Sequence, residues 1–355
     1  YKESILDFDD AIKIDSKFAD AYYWRGIAKK HLKSPELAIK DFSKAIKFNP
    51  KYKKAFLWRG VQYSWLGNYK LAIDNFKKAI KLDPEYGEAW DLLGYENLGL
   101  KKYDEALKAY DQAIKFRPDP KIYSNRGLVK CYLKKYDEAI KDYDQAIKLN
   151  PKDPDCYCYR GVSKDYLKKH NEAIKDFDKA IKLNPKNAYY YNSRGVSKHY
   201  LNKFDEAIKD FDQAIKLDPN FDWPFYNRAA TKDDLKKYDE AIKDYDQAIK
   251  LNNEVADYFN NRGEVKVELR RYDEAIKDFD EAIELESKEP IYFYNRGLAK
   301  GEKNEYIEAL QDFKLATSKY KIKINPNKDD YKTIKDKVKK LFLENNLELR
   351  NFFKA

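Results

Sequence analysis

"KKYDEAIKDYDQAIKLN" occupies residues 134–150 and returns letter for letter at 236–252. The copies lie 102 residues apart, three times 34, and a period of 34 runs through most of the chain. Gly26, Gly60, Gly94, Gly127, Gly161, Gly195, Ala229, Gly263 and Gly297 succeed one another at that spacing, with one step of 33 between Gly94 and Gly127. Twelve residues after each stands an alanine, from Ala38 to Ala309. Four beyond that is always Phe or Tyr, from Phe42 to Phe313, and three further is another alanine, from Ala45 to Ala316. Nine aligned copies make this a repeat architecture.

Within the quoted stretch Ala139, Ile140, Tyr143, Ala146 and Ile147 form one stripe of a 3.6-residue helix. Asp137 and Glu138 in its first turn and Lys148 in its last suit the helix dipole. The preceding stretch, "KIYSNRGLVKCYLKK" (residues 121–135), is helical in pattern too, although Gly127 in its middle costs about 1 kcal/mol relative to alanine. The expectation is that Gly127 lies opposite Ala139 so that the two helices cross closely, with Tyr123 and Tyr143 filling the space beside them. Pro50, Pro84, Pro118, Pro151, Pro185 and Pro219 are expected to end the second helix of each pair. One such hairpin cannot bury enough apolar area to offset its ordering entropy, whereas a hairpin between two copies of itself can. Stacking is therefore the predicted fold.

Numbered from Ala19, Lys53, Gly87, Pro120, Pro154, Ala188, Asp222, Ala256 and Pro290, each unit carries an aromatic at the fourth place (Tyr22, Phe56, Trp90, Tyr123, Tyr157, Tyr191, Phe225, Phe259, Phe293), a small residue at the eighth, Ala at the twentieth, an aromatic at the twenty-fourth and Ala at the twenty-seventh. This pattern resembles the tetratricopeptide repeat family. The resemblance implies an all-α fold, a right-handed superhelical solenoid of antiparallel helix pairs, with nine repeats over residues 19–323. Residues 1–18 would be the second helix of a truncated N-terminal repeat, so the true N-terminus is expected upstream. Residues 324–355, where Tyr331, Ile334, Val338, Leu341 and Phe342 share a face, would be a C-terminal capping helix and tail. The chain departs from the family in having arginine, not the usual leucine, at the seventh place of eight units, Asn253 and Ser287 where prolines would stand, and Thr317 where other repeats have Ile.

The composition points away from enzymes. Of 355 residues 37% are charged, with a net charge of +10, and there is no Met. The first 86 residues carry +7, residues 87–318 carry −3 and the last 37 carry +6, so the ends are basic and the middle is not. No apolar run reaches the length of a membrane span. Three cysteines (Cys131, Cys156, Cys158) are too few for a disulfide framework or a closed zinc site, and the odd count suits the reducing cytoplasm. Cys156 and Cys158 should face different sides of their helix. His31, His170 and His199 fall at non-equivalent places and read as ordinary surface histidines, with no metal or phosphate-binding spacing. No cofactor and no catalytic residue is expected. The acidic and basic residues recur in every repeat, which marks them as structural, and the arginine ladder with Asp142, Asp176, Asp210, Asp244 and Asp278 reads as inter-helix ion pairing.

Function is sought where repeats differ. In the family the first helix of each pair lines the concave side, with its second, fifth, sixth, ninth, twelfth and thirteenth places facing the groove. Trp65, Tyr132, Tyr166 and Tyr200 occupy thirteenth places, with Tyr189, Trp223 and Tyr226 nearby. They are either contacts for a partner or, as consecutive rings stacked on each other, packing between repeats. Asp233, Asp234, Asp257, Glu264, Glu268 and Glu302 make a later stretch acidic. That stretch would either attract a cationic partner segment or be neutralised by neighbouring Lys232 and Lys266. Asn125, Asn227, Asn261 and Asn295 at sixth places are similar to the asparagine ladder in the repeats of O-linked N-acetylglucosamine transferase, which implies grip on the backbone of an extended peptide; the other reading has these amides bonded within the array. The lysine and arginine clamp by which co-chaperone members hold a C-terminal carboxylate is absent. The expected function is a non-enzymatic scaffold that holds an extended segment of another protein in its groove, with self-association open through the array ends and no membrane contact. The alternatives are the docking part of a larger enzyme, or a binder of nucleic acid or another polyanion through the basic ends, ranked below because the central repeats carry almost no net charge.

Overall fold

The computed structural model describes residues 1–316; the expected cap and tail at 324–355, Thr317 and the end of the ninth repeat lie outside the described residues. Among the described residues the regular structure is helical, with nineteen α-helices and no strand. They fall into two units, divided between Leu183 and Asn184. The first unit opens with α1 (Lys2–Ile14) and continues with five hairpins: α2 (Ala19–His31) with α3 (Pro35–Phe48), α4 (Lys53–Trp65) with α5 (Tyr69–Leu82), α6 (Gly87–Gly99) with α7 (Tyr103–Phe116), α8 (Pro120–Tyr132) with α9 (Tyr136–Leu149), and α10 (Pro154–Tyr166) with α11 (His170–Leu183). The second unit holds four: α12 (Ala188–Tyr200) with α13 (Phe204–Leu217), α14 (Asp222–Asp234) with α15 (Tyr238–Leu251), α16 (Ala256–Glu268) with α17 (Tyr272–Leu285), and α18 (Pro290–Glu302) with α19 (Tyr306–Lys314).

Inside each hairpin the two helices make the densest contacts of the fold, and each second helix also packs on the first helix of the next repeat in its unit. The alanines at the twentieth and twenty-seventh places and the aromatic at the twenty-fourth are fully buried in every complete repeat. The conserved spacing of the glycine has a sharper cause than the expected crossing opposite alanine. The twenty-fourth-place ring packs directly against it, so that a Cβ on Gly127 would meet Tyr143 at 2.9 Å and one on Gly161 would meet Phe177 at 2.8 Å. The second helices end where expected, but proline is not the reason in every case. α15 stops at Leu251 with an extended cap at Asn252, and α17 at Leu285 with a non-helical cap at Glu286, although Asn253 and Ser287 stand where other repeats have proline. Each first helix turns into the second through one left-handed residue at the fifteenth place. That residue is Gly67 in the second repeat and Lys, Asn or Arg elsewhere, as at Lys134 with φ 58°. There the N–H of Lys135 reaches back to the Lys130 carbonyl at 2.8 Å, which closes the helix end.

The arginine ladder is a three-helix staple. Arg160 on α10 donates from Nε and one terminal nitrogen to both oxygens of Asp176 on α11 (3.0 and 2.5 Å) and from the other to Asp144 on the preceding repeat's α9 at 2.6 Å. Lys164 adds a third cationic donor to Asp176 at 2.8 Å. Arg126, Arg228, Arg262 and Arg296 repeat the arrangement on Asp142, Asp244, Asp278 and Asp312, with Lys130, Lys232, Lys266 and Lys300 alongside. A bidentate fork on a nearly buried carboxylate is the geometry in which ion pairing fixes relative helix position.

Candidate functional site: the wall of first helices

Within each unit the first helices of successive repeats approach one another more closely than the second helices do. They are also tied directly. Ser64 donates to Glu96, Cys131 Sγ lies 3.2 Å from Ser163 Oγ, His199 Nδ1 lies 2.9 Å from Thr231 Oγ1, and Asn227 donates to Asn192 at 2.9 Å. This closeness makes the first-helix side the inner wall of each stack. His170 and His199 are thus not simple surface histidines: His170 is held 2.9 Å from Asp165, and burial lowers the His199 pKa. His31 is exposed and stacks on Tyr1 at 4.5 Å. Cys156 and Cys158 are both buried, and burial pushes the Cys156 thiol up to about 12, which makes it inert.

In the first unit Trp65, Tyr132 and Tyr166 are all more than half exposed. The tyrosines do not stack on each other. Tyr132 lies on Tyr103 (5.0 Å between ring centres, 12° between planes) and Tyr166 on Tyr136 (4.7 Å, 4°), in each case the ring that opens the second helix of the preceding repeat. One face of each ring packs between repeats and the other is open. Sequence reasoning passed over the neighbouring wall of repeats 1–3, where Trp24, Trp58, Leu92 and Tyr95 hold sixth and ninth places. Trp24 and Tyr95 are exposed and Trp58 carries the Lys30 ammonium 3.7 Å above its ring. Reading those places for rings as well as for amides would have found them. Asn125, half-buried, sits beside the buried Tyr110 hydroxyl without completing a well-formed hydrogen bond.

In the second unit Tyr200 is exposed, and Trp223 meets Tyr226 and Tyr258 edge-on (5.9 and 6.0 Å) while keeping 47% of its surface open. The amide donors of the ladder are already used here. Asn227 gives its own to Asn192, Asn261 to the Tyr226 hydroxyl at 2.9 Å, and Asn295 to Asn260 at 3.0 Å and to Glu264. The acidic residues, by contrast, draw no lysine or arginine from the described residues. Lys232 turns away to Glu240 and Asp244, and Lys266 to Glu274 and Asp278. Burial pushes Asp233 up to about 6, helped by the charges of Asp234, Glu264 and Glu268. Asp234 has His199 Nε2 at 3.4 Å, and Glu264 accepts from Asn260 at 2.8 Å. Among the described residues no lysine or arginine pairs with Asp233, Glu264, Glu268 or Glu302.

Family models described as tetratricopeptide repeats match residues 19–52, 54–86, 87–120, 120–153, 154–187, 188–221, 234–269 and 256–289. The chain belongs to the tetratricopeptide repeat family. Tetratricopeptide arrays are protein-interaction scaffolds and in general not catalysts, and this chain has that framework. Solved relatives share the fold. A tetratricopeptide repeat protein from Parabacteroides merdae is 20% identical with a TM-score of 0.60, over 70% of this chain and 98% of its own. PilF of Pseudomonas aeruginosa is 20% identical with a TM-score of 0.51, over 58% and 94%. YrrB, described as a TPR protein with an unusual peptide-binding site, is 21% identical with a TM-score of 0.47, over 52% and 95%. No curated protein matches the sequence. No helix among the described residues is long and apolar enough to cross a membrane.

Proposed function

We propose that this tetratricopeptide array binds extended segments of other proteins along the first-helix wall of each unit taken by itself, through open rings in the first and carboxylates in the second. The observation that carries the reading is the orientation of Lys232 and Lys266. The array supplies a cation to each stapled outer carboxylate of these repeats and none to the inner Asp233, Glu264 and Glu268. Leaving like charges together raises the energy of the free wall, and a cationic segment would relieve it. The exposed faces of Trp65, Tyr132 and Tyr166 offer area at low entropy cost.

The test is binding of a lysine-containing and leucine-containing unstructured peptide, followed by fluorescence anisotropy, to the full chain and to two variants. Asp233→Asn with Glu268→Gln should weaken it about tenfold, the size expected for losing contacts to charged groups. Trp65→Ala with Tyr166→Ala should weaken it too, with helix content unchanged. Equal binding by the parent and both variants would refute the wall as the binding surface.

A further inference from the structure

The seam between the first and second repeats carries an unmatched cation. Elsewhere a carboxylate at the twenty-fifth place holds the arginine of the following repeat: Asp111 meets Arg126 at 2.7 Å, and Asp144, Asp246 and Asp280 meet Arg160, Arg262 and Arg296 at 2.6 Å. In the first repeat that place is Ser43 of α3, and Arg59 of α4 donates to its hydroxyl oxygen at 3.0 Å. Asn75 accepts from Arg59 Nε at 2.9 Å, but its amide nitrogen is a donor, turned to the Leu71 carbonyl at 2.7 Å. The terminal nitrogen that meets Asp176 in the case of Arg160 therefore has no hydrogen bond here among the described residues. Arg59 is half-buried, pairs with no described carboxylate, and burial lowers its pKa.

Ser43 also borders open space. With Lys40, Lys44 and Lys47 of α3 it lines a cavity of about 660 Å³. Arg25 and Lys29, on the same cavity, are held by Asp41 at 2.6 and 2.7 Å. Lys40, Lys44 and Lys47 are exposed, and no carboxylate among the described residues pairs with them. The half-buried Ser43 hydroxyl thus touches an unmatched guanidinium and borders a cationic cavity with room for a tetrahedral anion.

We propose that Ser43 is a phosphorylation site whose phosphate takes the place of the missing aspartate and fastens the first repeat to the second through Arg59. A protein kinase supplies the group from ATP. The bond between the γ-phosphorus and the β–γ bridging oxygen breaks, a bond from that phosphorus to Ser43 Oγ forms, the hydroxyl proton passes to the kinase's catalytic aspartate and ADP leaves. Phosphoserine carries a charge of about −1.5 to −2 and three acceptor oxygens, so it can accept from both terminal nitrogens of Arg59 while the cavity lysines offset the remaining charge. The transfer requires α3 to open locally at Ser43, an excursion that a stacked array permits because each repeat is held only by its neighbours. The site lies on a second helix, so the inference is independent of the first-helix wall.

The test uses the full chain with phosphoserine installed at position 43, followed by amide hydrogen exchange. Exchange in α3 and α4 should slow about tenfold, the size expected for charge-assisted hydrogen bonds, while α10 and α11 stay unchanged. Ser43→Asp, which copies the other repeats, should give part of that gain, and Ser43→Ala none. Arg59→Gln removes an unpaired charge and so leaves the chain folded, and in that background phosphoserine should give no gain. A second arm treats the unmodified full chain with ATP and a serine kinase directed to basic sequences, and tandem mass spectrometry should find the phosphate on Ser43. Phosphoserine that leaves exchange unchanged or speeds it, a gain that survives Arg59→Gln, or a chain that the kinase modifies only elsewhere or not at all would overturn the proposal.

Discussion

The second and third repeats and the seven others solve one stacking problem with different chemistry. In the fifth repeat Arg160, Lys164 and Asp176 join with Asp144 of the fourth into a nearly buried ionic staple. In the second, Arg59 donates to Asn75 at 2.9 Å and to Ser43 at 3.0 Å, so both carboxylates have become neutral acceptors. In the third, the arginine is Leu93, the partner carboxylate is Ala109, the lysine is Asn97, and Lys77 stands where an aspartate would face the arginine. Leu93 and Ala109 join Leu57, Ile73 and Phe76 in a continuous apolar cluster. The third repeat therefore replaces the staple as a set, whereas the second keeps its arginine and exchanges the carboxylates for neutral acceptors. A buried ion pair exchanged for well-packed apolar groups is close to neutral, whereas a buried charge without its counter-charge is costly, and burial accordingly lowers the Arg59 pKa.

The comparison breaks most sharply on a single change. Arg160→Leu leaves Asp176 almost buried with only Lys164, and strands Asp144 as well. The expected loss is about 3–5 kcal/mol, read as faster amide hydrogen exchange in α9, α10 and α11. Adding Lys164→Asn and Asp176→Ala, which copies Leu93, Asn97 and Ala109 into the fifth repeat, should restore most of it. If the triple variant is no better than the single one, the set is not exchangeable and the apolar repeats owe their stability to something else.

A smaller effect tests the seam that all repeats share. Gly161→Ala would bring a Cβ to 2.8 Å from the Phe177 ring, so ring or helix must shift. The seventh repeat has made that shift, with Ala229 fully buried beside Tyr245. Overpacking costs 1–3 kcal/mol and alanine returns about 1 in helix propensity, so the net loss should be about 1 kcal/mol in the unfolding free energy of the first unit. A loss as large as that of Arg160→Leu would mean that the glycine, not the staple, dominates repeat spacing.

What the sequence made legible follows from periodicity. The helix pairs and the alanine and aromatic seam recur in nine repeats, the glycine in eight and the pairing that joins Arg160 to Asp176 in seven, so the copies average away local noise. The wall was legible only as a set of variable places. That Tyr166 stacks on Tyr136 depends on a contact between a first helix and the second helix of the previous repeat, which no local pattern announces. The aromatic wall of Trp24, Trp58 and Tyr95 was hidden because those places were read for amides. Lys232 beside Asp233 suggested local neutralisation by adjacency in the chain, yet successive residues on a helix diverge by about 100°. Lys232 accordingly serves Asp244 on the opposite side.

That divergence gives the seventh repeat two carboxylates with opposite roles, and neutralising each in turn is the finest test of the difference between staple and wall. Asp244 is nearly buried and accepts from Arg228 and Lys232. Asp244→Asn should destabilise the second unit, because the cations lose their counter-charge. Asp233 has no cation and a pKa raised to about 6 by burial and by Asp234, Glu264 and Glu268. A carboxylate whose folded pKa lies above its unfolded value of about 3.9 is penalised in the folded state when ionised. The penalty is full above about pH 6 and disappears as the pH falls toward 4, so this group makes the second unit more stable as acid is added. Asp233→Asn should therefore stabilise the unit at pH 7 by a few tenths of a kcal/mol, given solvent screening at a partly exposed site, and should flatten its stability between pH 6 and pH 4. Urea titrations of both variants at pH 7 and pH 5 separate the cases, and a destabilising Asp233→Asn would show that the inner carboxylate is compensated after all and that the wall holds no unspent charge for a partner.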